Sequence, residues 1–403
     1  MASGKWHNNE QMNNSFGKNF RISLYGGSHE RCVGLRIDGV PAGVTIGIDE
    51  FAEALSRRQS GRKGTTARHE ADVPVFVSGF RRFQSAADVT LSANPPSAGI
   101  CAGETMLNIQ QPTTDNSDQS ANISTEEAVA DSYEILTKVG IDSAERCFEL
   151  ETDGSEIVIE FPNRDIRPHD YEKFRSTPRP GHADFVVRNI PELCSSTGGG
   201  MFSGRMTVAL VAAGVVAVKC LKQRFPEVAI HSQLQSVGGS SDWNEWDSLL
   251  DAAIADGDSL GAVVQTVASG LPVGIGEPFF DSVESMISHI VFSIPGVRGI
   301  EFGDGFNAAS MRGSEHNDPF GKDGLLLKNG AGGINGGLTN GAPVVFRTAF
   351  KPTSSIRKSQ NTWDFDAGKM AELKIDGRHD ACFALRTPVI LEAVTAIVFA
   401  DLI

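Results

Sequence analysis

Residues 198–221 read GGGMFSGRMTVALVAAGVVAVKCL. The glycines open a turn, and the helix expected from Thr207 to Leu221 is rich in alanine and valine on every side. A helix with no polar face must be covered all round, so this stretch belongs deep inside the body. A glycine turn at a helix N-terminus also presents backbone N–H groups to an anion, although many helices begin this way. Working outward, Phe20–Tyr25 alternates as a strand, and Glu156–Phe161 and Ala262–Ala268 read the same way. Asp49–Arg58 reads as a helix with an acidic start and a basic end, the order the helix dipole favours. Trp243–Ala255, the amphipathic Ser282–Phe292 and the apolar Glu392–Ile403 complete the helices of the body. Strands and helices do not alternate regularly, so the chain predicts an α+β body and not a doubly wound parallel sheet.

Residues 84–153 have a different texture. Gln110–Ser124 (QQPTTDNSDQSANIS) reads as an exposed loop, and Ser124 with Glu127 forms a capping box for a helix over Thr125–Val139. The segment is read as an insertion within a single domain spanning residues 1–403.

Composition narrows the function. Of 403 residues, 40% are hydrophobic and 21% charged, as in a globular protein. The net charge is −14, which argues against a broad nucleic-acid surface, so any anionic ligand needs positive charge gathered locally. The six cysteines are scattered, with no metal-ligand spacing, and read as reduced thiols of a cytoplasmic protein. The N-terminus has neither a secretory nor an organellar pattern. The longest apolar run, Val208–Val218, is too short to cross a bilayer. No metal-site motif occurs.

Chemistry-bearing residues concentrate near glycine. Gly330–Gly341 (GAGGINGGLTNG) holds six glycines, followed by Lys351-Pro352-Thr353-Ser354-Ser355 and Gly377-Arg378-His379-Asp380. Close backbone approach, hydroxyls and a point charge suit a flat phosphorylated ligand. Three histidines, His29, His182 and His379, sit at turns, where imidazole serves for proton transfer. Arginines cluster at Arg57, Arg58 and Arg62 and again at Arg164, Arg167, Arg175 and Arg179. They read equally as a surface charge set or as a pocket for a small phosphate- and carboxylate-bearing molecule.

Asn14–Gly17 through Gly39-Val40-Pro41, Arg179–Asp184, Gly274–Pro278, Glu301–Phe306, Lys351–Ile356 and Gly377–Asp380 together make the chain resemble the chorismate synthases. The likeness runs from about residue 14 to the C-terminus, with 84–153 skipped. It implies a β-α-β sandwich of antiparallel sheets packed around helices, a homotetramer, and reduced FMN as cofactor. The implied reaction is the 1,4-elimination of phosphate from 5-enolpyruvylshikimate 3-phosphate, giving chorismate for aromatic amino acid biosynthesis. Members differ in whether NADPH or an outside source reduces the flavin, and the residues do not decide between them. By the resemblance, His29 is the proton donor at the leaving phosphate. His182 protonates or steadies the reduced flavin, and Asp380 is the carboxylate that assists the flavin in removing the substrate proton. Ser203, Pro295, Gly296, Gly336, Lys351, Pro352, Thr353, Ser354, Ser355 and Arg378 match flavin-binding positions. Ser28, Arg57, Arg58, Arg62, Arg179 and Arg205 match positions facing the substrate. The first histidine is flanked here by Gly27 and Glu30, and Thr197, Met201 and Phe202 replace polar or basic residues of the family pattern. Lys63, Arg167 and Arg175 are candidates to make up the missing charge. The alternative reading is a flavin- or phosphate-binding paralogue without the lyase activity.

Overall fold

The computed structural model describes residues 14–66, 72–84, 148–163, 173–190, 199–375, 377 and 379–403. In chain order the first strands are β1 (Ser15–Phe16), β2 (Arg21–Gly26), β3 (Cys32–Asp38), β4 (Thr45–Gly47), β5 (Val75–Ser78), β6 (Phe80–Gln84), β7 (Phe148–Thr152) and β8 (Ile157–Pro162). There follow β9 (Ala229–Val237), β10 (Ala262–Ser269), β11 (Val297–Phe302), β12 (Ile334–Asn335), β13 (Leu338–Thr339), β14 (Val344–Phe350), β15 (Gln360–Asp364) and β16 (Lys369–Leu373). One sheet has the order β1-β2-β3-β8-β5 and a second β11-β14-β10-β9. A smaller sheet, β4-β7-β6, and the hairpins β12-β13 and β15-β16 flank them. The pairings are antiparallel, with Arg21 opposite Asp38 and Gly26 opposite Val33 at the two ends of β2-β3.

Between the two large sheets lie two helices. Thr207–Arg224 packs on β3 and β8 and against the helix Ile48–Arg58. Pro388–Asp401 packs on β9 and β10 and against the helix Val283–Val291. The two central helices lie against each other, closing a sheet–helix–helix–sheet stack. Gly214 sets their separation, since a Cβ there would stand 2.3 Å from the Cβ of Ala393. Every side chain from Val208 to Gly214 on the first helix is buried, as is nearly the whole second one. That accounts for their lack of a polar face.

Among the described residues, two helix limits differ from the sequence expectation by three residues or more. The last helix starts at Pro388, not Glu392, because proline needs no partner for a missing N–H in a first turn. The central helix continues past Leu221 to Arg224. With its leading turn, Gly204–Arg224 forms a 21-residue helical stretch long and apolar enough to cross a membrane by length and composition, yet most of it packs inside the protein. The loop and helix expected over residues 110–139 lie outside the described residues. Phe148–Thr152, at the end of the segment read as an insertion, pairs with both β4 and β6.

Asp401 fastens the last helix to the N-terminal sheet. It is 3% exposed, and its Oδ1 accepts the backbone N–H groups of Lys18, Asn19 and Phe20 at 2.6, 2.6 and 3.0 Å. Asp401→Ala leaves those donors without their acceptor and is expected to destabilise the protein by about 1–3 kcal/mol. Chemical denaturation measures this, and a loss below a few tenths of that range would refute it.

Candidate active site

The elements converge on one cleft of about 820 Å³. Its wall is built from the Ser28–His29 turn after β2, the end of the Ile48–Arg58 helix, the Gly199–Arg205 turns, and the Pro295–Arg298, Lys351–Ser355 and Gly377–Arg386 segments. Of the residues expected to form a site, Ser28, His29, Arg58, Arg179, His182, Ser203, Arg205, Pro295, Gly296, Lys351 through Ser355 and Asp380 all line it. Three do not. Arg57 turns away and pairs with Glu392 (2.7 Å). Arg62 is exposed, and Gly336 sits in the turn between β12 and β13 with no other atom near its would-be Cβ. Arg378, Thr197 and Arg167 fall outside the described residues.

Among the described residues six basic side chains, Arg58, Arg179, Arg205, Arg298, Lys351 and Arg386, line the cleft against two carboxylates, Asp72 and Asp380. On a chain of net charge −14 this is the local concentration of positive charge that an anionic ligand requires. Lys63 does not belong to it, because its ammonium is held by Asp251 at 2.8 Å. Arg298 and Arg386 are the cations that sequence reasoning missed. Glu30 is exposed and lies off the cleft wall, so the carboxylate beside His29 does not confront the ligand.

Asp72 bridges two arginines of the cleft wall. One carboxylate oxygen pairs with Arg58 Nη2 and the other with Arg205 Nη1. Asp72 takes a left-handed backbone (φ 48°) to do so, a conformation that is costly for a residue with a Cβ. Arg58 is 4% exposed. Its burial lowers the guanidinium pKa below the ordinary value, while the charge of Asp72 works the other way. Arg58 Nη1 also reaches Thr207 Oγ1 (3.4 Å), at the start of the central helix. Asp72→Ala strands two buried cations and is expected to destabilise the fold by about 3–5 kcal/mol. A denaturation midpoint close to that of the unaltered protein would show that the pair is balanced by other groups.

Arg179 makes a bidentate pair with Asp184, Nε to Oδ2 at 2.7 Å and Nη2 to Oδ1 at 2.8 Å. Its guanidinium also lies 4.5 Å from the centre of the Phe174 ring and donates to Ser355 Oγ at 3.1 Å. His182 Nδ1 is 2.8 Å from Asp184 Oδ1, which leaves Nε2 as the ring nitrogen for chemistry. Burial opposes the charge of Asp184, but the hydrogen bonds and charge of Arg179 and His182 outweigh it. The carboxyl is held below its usual pKa range.

Beside this pair, Lys351 Nζ donates to Gly181 O (2.6 Å) and Ser354 Oγ (2.8 Å). Burial and the neighbouring charge of Arg298 lower the Lys351 pKa, so an anion placed there would relieve both cations. Asp380 is fixed at both oxygens, Oδ1 by Thr66 N–H (2.7 Å) and Oδ2 by Arg386 Nη2 (2.9 Å). The Cys382 thiol near this wall is fully buried, and burial pushes its pKa up to about 11, so it is a packing residue and not a nucleophile.

Antiparallel sheets surround a buried helix pair, and the cleft brings histidines, a fixed carboxylate and a set of cations together, a lining suited to a small anionic ligand. The family model for chorismate synthase matches residues 20–92 and 107–403. The chain is 42% identical over 390 residues, 96% of each chain, to a chorismate synthase of Chitinophaga pinensis. It is 34% identical over 419 residues to one of Dehalococcoides mccartyi, covering 97% of this chain and 96% of that one. A crystal structure of chorismate synthase superposes with a TM-score of 0.59 at 21% identity, covering 96% of this chain and 92% of that chain, a likeness of fold. The chain therefore belongs to the chorismate synthase family, and is a lyase. Similarity along the whole length of such relatives favours the lyase over the paralogue reading.

Proposed function

We propose that this chain removes phosphate and a proton from 5-enolpyruvylshikimate 3-phosphate to give chorismate, with reduced FMN in the same cleft. One observation carries the proposal: His29, His182 and Asp380 line the same cavity as six basic side chains among the described residues. In the 1,4-elimination a C–O bond to phosphate and a C–H bond break, and a new C=C bond forms. The departing phosphate needs charge neutralisation and a proton. Arg58 and Arg205, joined through Asp72, supply the charge, and Asn163 links Arg205 to the turn that carries His29. His29 donates the proton to the leaving oxygen, and Asp380 serves the end where the substrate proton departs.

The residues present fit a flavin. Thr353 Oγ1 is buried without a protein partner, beside the paired Lys351 and Ser354, which leaves a donor for a phosphorylated ligand. Gly296 turns with φ 92°, and a Cβ there would lie 3.7 Å from Phe383, whose ring lines the same wall. Lys351, Thr353, Ser354, Ser355 and the Pro295–Gly296 turn would hold the cofactor, with His182 beside them. Bound there, reduced FMN supplies electron density next to the allylic system. Arg378 keeps its proposed flavin role on the resemblance alone.

The proposal extends to a cytoplasmic homotetramer. Phe279, Phe280 and Phe306, exposed at 87%, 91% and 81%, are apolar surface that an assembly would cover. Purified protein with chemically reduced FMN, held without oxygen, should release phosphate and form chorismate from the substrate. Absence of both products while FMN still binds would sink the assignment.

A further inference from the structure

The loop that carries His29 is short and glycine-rich. Gly26 turns with φ 77°, and the Glu30 N–H closes the turn on Gly27 O (3.2 Å). Gly27 N–H donates to Cys32 O and Ser28 N–H to Gly200 O, both at 3.3 Å, and a further restraint comes from Asn163, at the end of β8. Its backbone N–H donates to Arg31 O at 3.0 Å. Its Nδ2 donates to Gly27 O and to Glu30 O, both at 2.8 Å. Its Oδ1 accepts Nε of Arg205 at 3.2 Å. Asn163 is 9% exposed, so these contacts are made away from water. The carboxamide uses both of its donors on the loop and its acceptor on the cation, and no other side chain of that size offers this set.

We infer that Asn163 is a positioning residue for the elimination, resting on the reading of His29 as proton donor. It ties the His29 loop and Arg205 into one frame. The proton donor and a cation of the Arg205–Asp72–Arg58 cluster thereby keep a fixed distance, and a shift of the loop moves the acid away from the leaving oxygen. Misplacement by about 1 Å can cost on the order of 10²-fold in rate.

The test uses Asn163→Ala and Asn163→Asp, each in the unaltered protein and in a His29→Ala background. The aspartate variant keeps an acceptor for Arg205 but loses both donors to the loop, so it separates the two halves of the frame. Both variants should lower kcat by about 10- to 10²-fold with FMN affinity unchanged. In the His29→Ala background the same changes should add less than about threefold, since the two residues act through one step. Hydrogen exchange at the amides of residues 27–31 should quicken in both variants. Equal losses in the two backgrounds, an Asn163→Asp protein as active as the unaltered one, or unchanged loop exchange would each overturn the inference. If the unaltered protein shows no turnover, the elimination reading fails by itself, and the exchange result still decides what Asn163 holds.

Discussion

His29→Ala should lower kcat by about 10²- to 10⁴-fold, the range a positioned general acid contributes, with FMN affinity nearly unchanged. The histidine is buried, 8% exposed, on a turn between β2 and β3. Lys351, Thr353 and Ser354, which are proposed to hold the flavin, lie on a different segment, after β14. Removing the imidazole takes away the proton for the departing phosphate but leaves the cations that bind it, so KM should move much less than kcat. Single-turnover phosphate release under anaerobic conditions separates the two. If the variant keeps its rate, water or another acid protonates the phosphate and His29 is a packing residue. A variant that loses flavin binding instead would put His29 on the wrong side of the cleft.

How far the site was legible depends on the distance over which its parts are joined. Arg57 and Arg58 look alike in the sequence, and both were expected to face the substrate. Their difference is helical phase: Phe51, Leu55 and Arg58 share the buried face at i, i+4 and i+7, and Arg57 is one step off it. That signal was present in the sequence and decides the case. Asp72 carried no comparable signal. Its partners lie 14 and 133 residues away, and only the folded chain brings one carboxylate between two arginines. Asn163 is of the same kind, reaching Gly27 and Glu30 across 136 and 133 residues. The central helix, by contrast, announced its burial by composition, and Trp243–Asp256 stopped where Gly257 supplies a left-handed cap (φ 68°). Local rules carried the elements, and the motif resemblance carried most of the cleft wall. The network behind that wall is non-local, so neither route reached it.

Asp380→Ala should also slow turnover by about 10²- to 10⁴-fold, and here the direction of KM is the sharper test. The carboxylate is held by Thr66 N–H and Arg386 on opposite oxygens, so its plane is set before any ligand arrives. Such fixing is of no use to a charge that merely balances Arg386, which any mobile carboxylate could do. It is what a group needs when it must meet a departing proton at one place. Removing it also leaves Arg386 without its counter-charge in a cleft that already holds five other basic side chains. The anionic substrate would then see a more positive site, and its KM should fall or stay level while kcat drops. Asp380→Asn tests charge apart from shape: it keeps the volume and one acceptor, but it cannot carry the negative charge. The Asn variant should therefore be slow like the Ala variant. Recovery of most of the rate in Asp380→Asn would mean that the hydrogen bond to Thr66 or Arg386 is the working element. A rise in KM with kcat retained would recast Asp380 as a residue that shapes the substrate pocket and takes no part in moving the proton.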